Sequence, residues 1–133
     1  MATATWSIPA EPHEVPRLRS AVAAYAAEQD VFEPPINDLR LAVSEAVTNA
    51  VVHAFRQGTP GKVDVSMTVD HQASEVRVLV ADDGMGMVPR PDSPGHGLGL
   101  PMIATLSHTM EIRTPPGGRG TELSMTFALP DAI

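Results

Sequence analysis

The stretch "LRLAVSEAVTNAVVHAF", residues 39–55, combines the apolar spacing of a core helix with three polar side chains at four-residue steps. On a helical wheel of about 100° per residue, Glu45 and Asn49 lie together on one side, and His53 lies further round towards the flank. The opposite side carries the apolar residues of a core-facing stripe, namely Ile36, Leu39, Val43, Ala46, Val47, Ala50 and Ala54. The stretch therefore predicts a helix that buries one face and presents a carboxylate and an amide on the other.

Each of these polar residues has a simpler explanation when it is taken alone. Most Glu and Asn side chains are exposed, so Glu45 or Asn49 could belong to an ordinary solvated face. His53 could be a hydrogen-bonded residue near the end of the helix. A functional interpretation therefore needs a second element that points to the same place.

Two glycine-rich stretches supply this second element. The first is "VADDGMGM", residues 80–87, at the end of an apolar run, and the second is "GHGLGL", residues 95–100, just before a short apolar segment. Glycine lets the backbone approach a ligand closely, and N–H groups at the start of a helix attract phosphate. Either stretch alone is weak evidence, because turns are rich in glycine. The chain has no GxxxxGK[ST] P-loop, the second stretch does not follow a strand as a dinucleotide fingerprint does, and EF-hand spacing is incomplete.

The rest of the chain predicts an α/β fold. Helical spacing runs from Glu14 to about Val31, a second helix follows the break at 33–35, and a third is short and lies within 100–108. Period-two alternation predicts strands at 4–8, 62–70, 75–82, 109–114 and 121–129. We therefore expect a two-layer α/β sandwich, in which a mixed, mostly antiparallel sheet of four or five strands has three helices on one face. Residues 1–133 are expected to form a single domain.

Composition excludes several classes of protein. Hydrophobic residues make up 43% of the 133 residues, and there is no cysteine, which excludes disulfides and thiolate metal sites. No run is long and apolar enough to cross a membrane, and the start lacks the pattern of a secretion signal, so we expect a cytoplasmic protein. The formal net charge of −7 disfavours broad nucleic-acid binding.

Four motifs in order resemble those of the Bergerat-fold (GHKL, histidine-kinase-like) ATPases: ExxxN on a helix, a strand ending in DxGxG, a GxGLGL loop and a late GT. The matching residues are Glu45, Asn49, Asp82, Gly84, Gly86, Gly95, Gly97, Leu98, Gly99, Leu100, Gly120 and Thr121. Within this superfamily the chain is similar to the small anti-sigma-factor serine-protein kinases, above all in residues 38–55. The resemblance covers nearly the whole chain.

The resemblance implies a site for ATP and Mg²⁺ between the long helix and the glycine loops. Asp82, which falls in register with DxGxG where Asp83 does not, would accept a hydrogen bond from the adenine amino group, and Thr121 would close the adenine side. Asn49 would bind Mg²⁺ through its side-chain oxygen, and Glu45 would be the general base. The other residues placed at the nucleotide are His53, Gly84, Gly86, Met87, Gly95, His96, Gly97, Leu98, Gly99 and Leu100. Met87 could pack against the base, and His96 is given no individual role.

The resemblance also implies partners. The γ-phosphate of ATP would pass to a serine of a STAS-type anti-anti-sigma protein, and the chain, acting as a homodimer, would sequester a sigma factor. Neither direct nucleic-acid binding nor membrane binding is expected. Two alternatives remain open: a non-catalytic, ATP-binding partner-switch module of the same fold, and the same fold catalysing ATP hydrolysis or using a different acceptor.

Overall fold

The computed structural model describes residues 1–54, 61–83, 99–114 and 120–130, without the side chains of His53 and Ala54. The strands are β1 (Ala2–Pro9), β2 (Lys62–Asp70), β3 (Glu75–Asp82), β4 (Thr109–Arg113) and β5 (Thr121–Ala128). The α-helices are α1 (Glu14–Glu28), α2 (Pro35–Asn49) and α3 (Gly99–Leu106), and a π-helical turn (Ala50–Ala54) continues α2. No helix in the described ranges is long and apolar enough to cross a membrane.

The described strands form a five-stranded sheet in the order β1-β2-β3-β5-β4. Every neighbouring pair among them is antiparallel. The predicted α/β sandwich with a mostly antiparallel sheet is thus confirmed, but the parallel component of a mixed sheet is not present in the described strands. The reason lies in the last connection: β5 returns between β3 and β4 and runs antiparallel to both.

The sheet has one packed and one open face, as the alternation predicts. Register places Trp6, Val65, Val80 and Leu123 side by side on the packed face, and the last three of these are fully buried. The ring of Trp6 also meets Tyr25 of α1 edge to face, with centroids 5.8 Å apart, so α1 covers this side of β1. The open face carries mainly hydroxyl and charged side chains, among them Thr3, Thr68, Arg77, Thr126 and Thr109.

Helix α1 ends at Glu28, earlier than the predicted Val31, and the end has a clear cause. Asp30 adopts a left-handed conformation (φ 61°). The N–H groups of Asp30 and Val31 donate to the carbonyls of Ala27 and Ala26, at 3.1 and 3.0 Å. This is the hydrogen-bond pattern of a Schellman C-cap, and it turns Val31 back into the core, where it is 1% exposed.

Candidate functional site

Helix α2 joins the elements on which the predicted site residues lie. Within the described part of the chain it contacts α3, β3 and β5, and the π-helical turn that follows it also contacts β3. Glu45 and Asn49 belong to α2, Asp82 ends β3, and Thr121 begins β5. Residues far apart in sequence are therefore carried by elements that pack on one helix.

The two polar residues of α2 differ in their burial. Asn49 is only 6% exposed, whereas Glu45 is partly exposed. The interpretation of Asn49 as part of a solvated face is therefore wrong: α2 packs between α1 and α3 and against the sheet, so residues on the flank of its core stripe are covered as well. No hydrogen bond joins the Asn49 amide to any residue in the described ranges. Its oxygen is thus available to a ligand.

A π-helical turn (Ala50–Ala54) begins directly after Asn49. A continuous α-helix through His53 would put that residue one turn beyond Asn49. A π-turn closes with i→i+5 hydrogen bonds and holds more residues per turn, so the four-residue spacing no longer places His53 above Asn49. Such turns occur often at functional sites, and this one widens the helix where α2 meets β3.

Asp82 is a buried carboxylate at the end of an otherwise apolar row. It is 6% exposed, and its register partners on the packed face are Val63 of β2 and Thr121 of β5, both buried. The next residue, Asp83, is exposed, so burial separates the two neighbouring carboxylates as the motif register predicts. A carboxylate in such a position needs hydrogen-bond donors, and this suits a site that recognises an amino group.

Gly120 fixes the spacing between the strand ends that carry Asp82 and Thr121. It has a φ of 80°, and a Cβ added to it would overlap the backbone oxygen of Asp82 and lie 3.1 Å from the Cα of Asp83. Only glycine satisfies both conditions. The sequence shows this residue as part of a GT motif, but its contact with Asp82 depends on strand register and is visible only in the structure.

Gly120→Ala is expected to lower the free energy of unfolding by about 1–3 kcal/mol, because a left-handed alanine is strained and its Cβ displaces the end of β3. ATP affinity should fall at least about tenfold, because the displaced end of β3 carries Asp82. A tenfold loss corresponds to about 1.4 kcal/mol of binding free energy. Chemical denaturation and calorimetric ATP titration measure the two effects. Gly61→Ala is the control, because Gly61 does not have a positive φ. Unchanged ATP affinity in Gly120→Ala would contradict this role.

Other predicted site residues lie outside the described ranges, namely Gly84, Gly86, Met87, Gly95, His96, Gly97 and Leu98. The side chain of His53 is also outside the description. Gly99 begins α3, and Leu100 is partly buried against the core. The predicted site residues within the described ranges are therefore those on α2, β3 and β5, together with the start of α3.

Comparison with known proteins points to one family. Residues 8–127 match the histidine kinase-like ATPase domain family. The anti-sigma F factor of Pasteuria penetrans is 32% identical over 118 residues, which are 80% of this chain and 77% of that protein. The serine-protein kinase RsbW of Bacillus subtilis is 31% identical over 129 residues, with 83% and 77% coverage. The crystal structure of the RsbU and RsbW domains of a Mycobacterium tuberculosis protein superposes with a TM-score of 0.75 at 24% identity, covering 97% of this chain and 33% of that one.

Proposed function

Because this chain belongs to the histidine kinase-like ATPase family, alongside anti-sigma factors and serine-protein kinases, we propose that it is an ATP-dependent serine-protein kinase and anti-sigma factor. The γ-phosphate of ATP passes to a serine of a STAS-type anti-anti-sigma protein, and the chain sequesters a sigma factor when that partner is phosphorylated. The observation that carries the proposal is the buried Asn49, one turn from a partly exposed Glu45, on the helix that packs against β3 and β5.

The adenine end of the site is assigned to Asp82 and Thr121. A carboxylate at the end of β3 accepts a hydrogen bond from the adenine amino group, whereas guanine carries a carbonyl oxygen at that position and would leave two acceptors facing each other. Both residues are buried and are register partners, which supports a fixed, largely dry contact. The glycines of the two loops, at 84–86 and 95–99, are assigned to the base and the phosphates on sequence grounds.

The phosphate end is assigned to α2. Asn49 offers a buried amide oxygen, a donor that suits a hard cation, and Mg²⁺ bound there would neutralise charge on the phosphates. Glu45 lies four residues earlier, about 6 Å along the helix axis, and is open enough for an incoming hydroxyl to reach it. It takes the proton as the serine oxygen bonds to the γ-phosphorus, and the bond between that phosphorus and the bridging oxygen of ADP breaks.

Asp82→Asn is expected to lower ATP affinity by about 10- to 100-fold, because a hydrogen bond to a charged acceptor contributes about 1.5–3 kcal/mol. The ratio of ATP to GTP affinity should fall as well, since an amide can donate to the guanine carbonyl. Equilibrium titration with both nucleotides measures this. Asp83→Asn removes the same charge at the exposed neighbour and should change neither affinity. An ATP to GTP ratio equal to that of the parent chain would contradict the assignment of Asp82.

The direct test incubates the purified chain with γ-labelled ATP, Mg²⁺ and each purified STAS-domain protein of the source organism. Label on a serine of one of them is the expected result. A chain that binds Mg-ATP but labels none of these proteins would contradict the kinase proposal and favour a non-catalytic partner switch. We also propose a cytoplasmic homodimer, following the resemblance. Analytical ultracentrifugation tests the dimer, and a monomer at micromolar concentration would contradict it.

A further inference from the structure

The two edges of the sheet differ in how they are protected against pairing with another strand. Strand β4 is short, at five residues, and carries the exposed charged residues Glu111 and Arg113. Strand β1 has eight residues, Ala2–Pro9, and none of them is charged. It pairs with β2 without interruption, and no strand in the described ranges lies on its other side. Sheet edges are usually protected by charges, bulges or short strands, so the edge of β1 is suited to pairing.

The side chains of β1 on the packed face of the sheet fall into a small half and a large half. Ala2 and Ala4 come first, and Trp6 and Ile8 follow. An antiparallel strand of the same sequence runs in the opposite direction, so its small half lies against the large half of the first strand. Strand β1 is therefore complementary in size to a second copy of itself. The open face of the same stretch carries exposed hydroxyl residues, namely Thr3, Thr5 and Ser7.

We propose that β1 pairs antiparallel with β1 of a second copy of this chain, so that the two sheets join into one continuous sheet. The two-fold axis passes between Thr5 of one copy and Thr5 of the other. Ala4 then lies opposite Trp6, and Ala2 lies opposite Ile8. The inference names the surface of the homodimer in the proposed function and rests on that part of it. The size pattern of β1, and not the resemblance, selects a second copy as the partner.

The side-chain pattern also selects this register. Residues directly opposite each other in an antiparallel pair lie on the same face, so the register changes only in steps that keep both faces matched. One such step would set the two Trp6 rings opposite each other and bring Pro9, which has no N–H to donate, opposite Thr3. The step in the other direction would leave Ile8 without an opposite residue. The proposed register pairs residues 2–8 of both copies over about 23 Å of strand.

Charge favours a second copy at this edge rather than elsewhere. The chain has a formal net charge of −7, so an acidic surface of one copy repels the same surface of another. Strand β1 adds no charge to the interface. Hydroxyl pairs between neighbouring strands already occur on the open face, where the Oγ1 atoms of Thr3 and Thr68 are 3.0 Å apart. Thr5 opposite Thr5 would repeat this kind of pair, which stabilises sheets.

Helix α1 adds area to the interface. A strand pair alone buries less than the about 1,200–2,000 Å² of a stable interface. Helix α1 contacts β1 on the packed face, where Tyr25 meets the ring of Trp6, so a continuous sheet brings the two α1 helices side by side and antiparallel. Ala21 lies one turn before Tyr25 and is partly exposed. Its small side chain lets the two helices approach each other closely.

The first test changes the charge at the two-fold axis. Thr5→Lys and Thr5→Glu each set like charges opposite each other, which should raise the dimer Kd at least about fivefold. An equimolar mixture of the two variants should return Kd to within about twofold of the parental value, because lysine then faces glutamate. Sedimentation equilibrium measures Kd. Thr5 is exposed and edge strands tolerate charge, so each variant should fold, which circular dichroism checks.

Thr114→Lys and Thr114→Glu are the matched controls for the charge variants. Thr114 is exposed and lies just beyond β4, at the opposite edge of the sheet. Both controls make the same changes of charge and size away from β1. They should therefore dimerise with the parental Kd.

Disulfide crosslinking tests the register without any change of charge. The chain has no cysteine, and opposite residues of an antiparallel pair have Cα atoms about 4.5–5.5 Å apart, within reach of a disulfide. Thr5→Cys should therefore form a linked dimer under mild oxidation. Thr3→Cys alone should not, because the two copies of this residue lie roughly 13 Å apart. An equimolar mixture of Thr3→Cys and Ser7→Cys should form the linked dimer.

Failure of the β1 interface is distinguishable from failure of the proposed function. A parent chain that is monomeric at micromolar concentration would refute the homodimer and the interface together, whereas labelling of a STAS-domain protein decides the kinase proposal separately. If the parent chain dimerises and both charge variants of Thr5 keep the parental Kd, the β1 interface alone is overturned. It is also overturned if mixing the charge variants restores no dimer, or if Thr3→Cys links to itself as readily as Thr5→Cys.

Discussion

Glu45→Gln is expected to bind Mg-ATP with the affinity of the parent chain and to lose phosphoryl transfer by about 100- to 10,000-fold, the usual contribution of a general base. Glutamine keeps the length and shape of the side chain but cannot accept the serine proton. Because Glu45 is partly exposed and has no hydrogen-bond partner in the described ranges, its neutral replacement should not disturb α2. Single-turnover transfer to the STAS-domain acceptor and calorimetric titration with Mg-ATP measure the two properties separately.

Two further variants serve as controls for Glu45→Gln. Glu28→Gln removes the same charge from an exposed position at the end of α1 and should transfer phosphate at the parental rate. Glu45→Asp keeps a carboxylate but withdraws it by one methylene, so its rate should fall between those of the parent chain and Glu45→Gln. Transfer at the parental rate by Glu45→Gln would remove Glu45 from the reaction. Loss of Mg-ATP affinity in the same variant would make it a nucleotide ligand rather than a base.

Much of the fold is predictable because its signals are local and repeated. Alternation in 62–70 and 75–82 specifies two strands that each bury one face, and a slip by one residue would expose every buried valine. The stripe on α2 is equally clear, and the structure buries Leu39, Val43, Ala46, Val47 and Ala50 as the wheel predicts. The choice of Asp82 over Asp83 follows from the DxGxG register, and the alternation along β3 agrees with it, because Asp82 continues the buried row.

The rest of the site depends on contacts between distant parts of the chain. A helical wheel relates Asn49 only to the other residues of α2. It does not show that α1, α3 and the sheet pack around α2 and cover the side on which Asn49 lies. The "AVVHA" stretch has the apolar pattern of an α-helix, and nothing in it signals the π-helical turn that shifts His53. The overlap that excludes any side chain at Gly120 arises from the pairing of β3 with β5, which joins residues almost forty positions apart.

Asn49→Leu is expected to lower phosphoryl transfer strongly and to change the free energy of unfolding little. Removing the amide oxygen should reduce Mg²⁺-dependent phosphoryl transfer at least about 100-fold, because a bound metal ion contributes several kcal/mol to stabilising charge in the transition state. The free energy of unfolding without nucleotide should stay within about 1 kcal/mol of the parent value. The reason is that the Asn49 amide makes no hydrogen bond within the described ranges, so the substitution removes no internal polar contact there. Transfer assays and urea denaturation measure the two effects.

The opposite pattern would identify Asn49 as a structural residue. A buried amide that holds the fold together through hydrogen bonds would cost about 1–3 kcal/mol of stability when replaced, and activity would fall only as far as the chain unfolds. Asn49→Ala is the control for overpacking, since leucine could be too large for this position whereas alanine leaves a small cavity. Asn49→Ala should also lose phosphoryl transfer. Asn49→Asp restores an oxygen donor that Mg²⁺ accepts, so it should recover part of the activity at raised Mg²⁺ concentration. Recovery by aspartate but not by leucine or alanine is the result that a metal-binding role requires, because aspartate alone of the three offers an oxygen ligand.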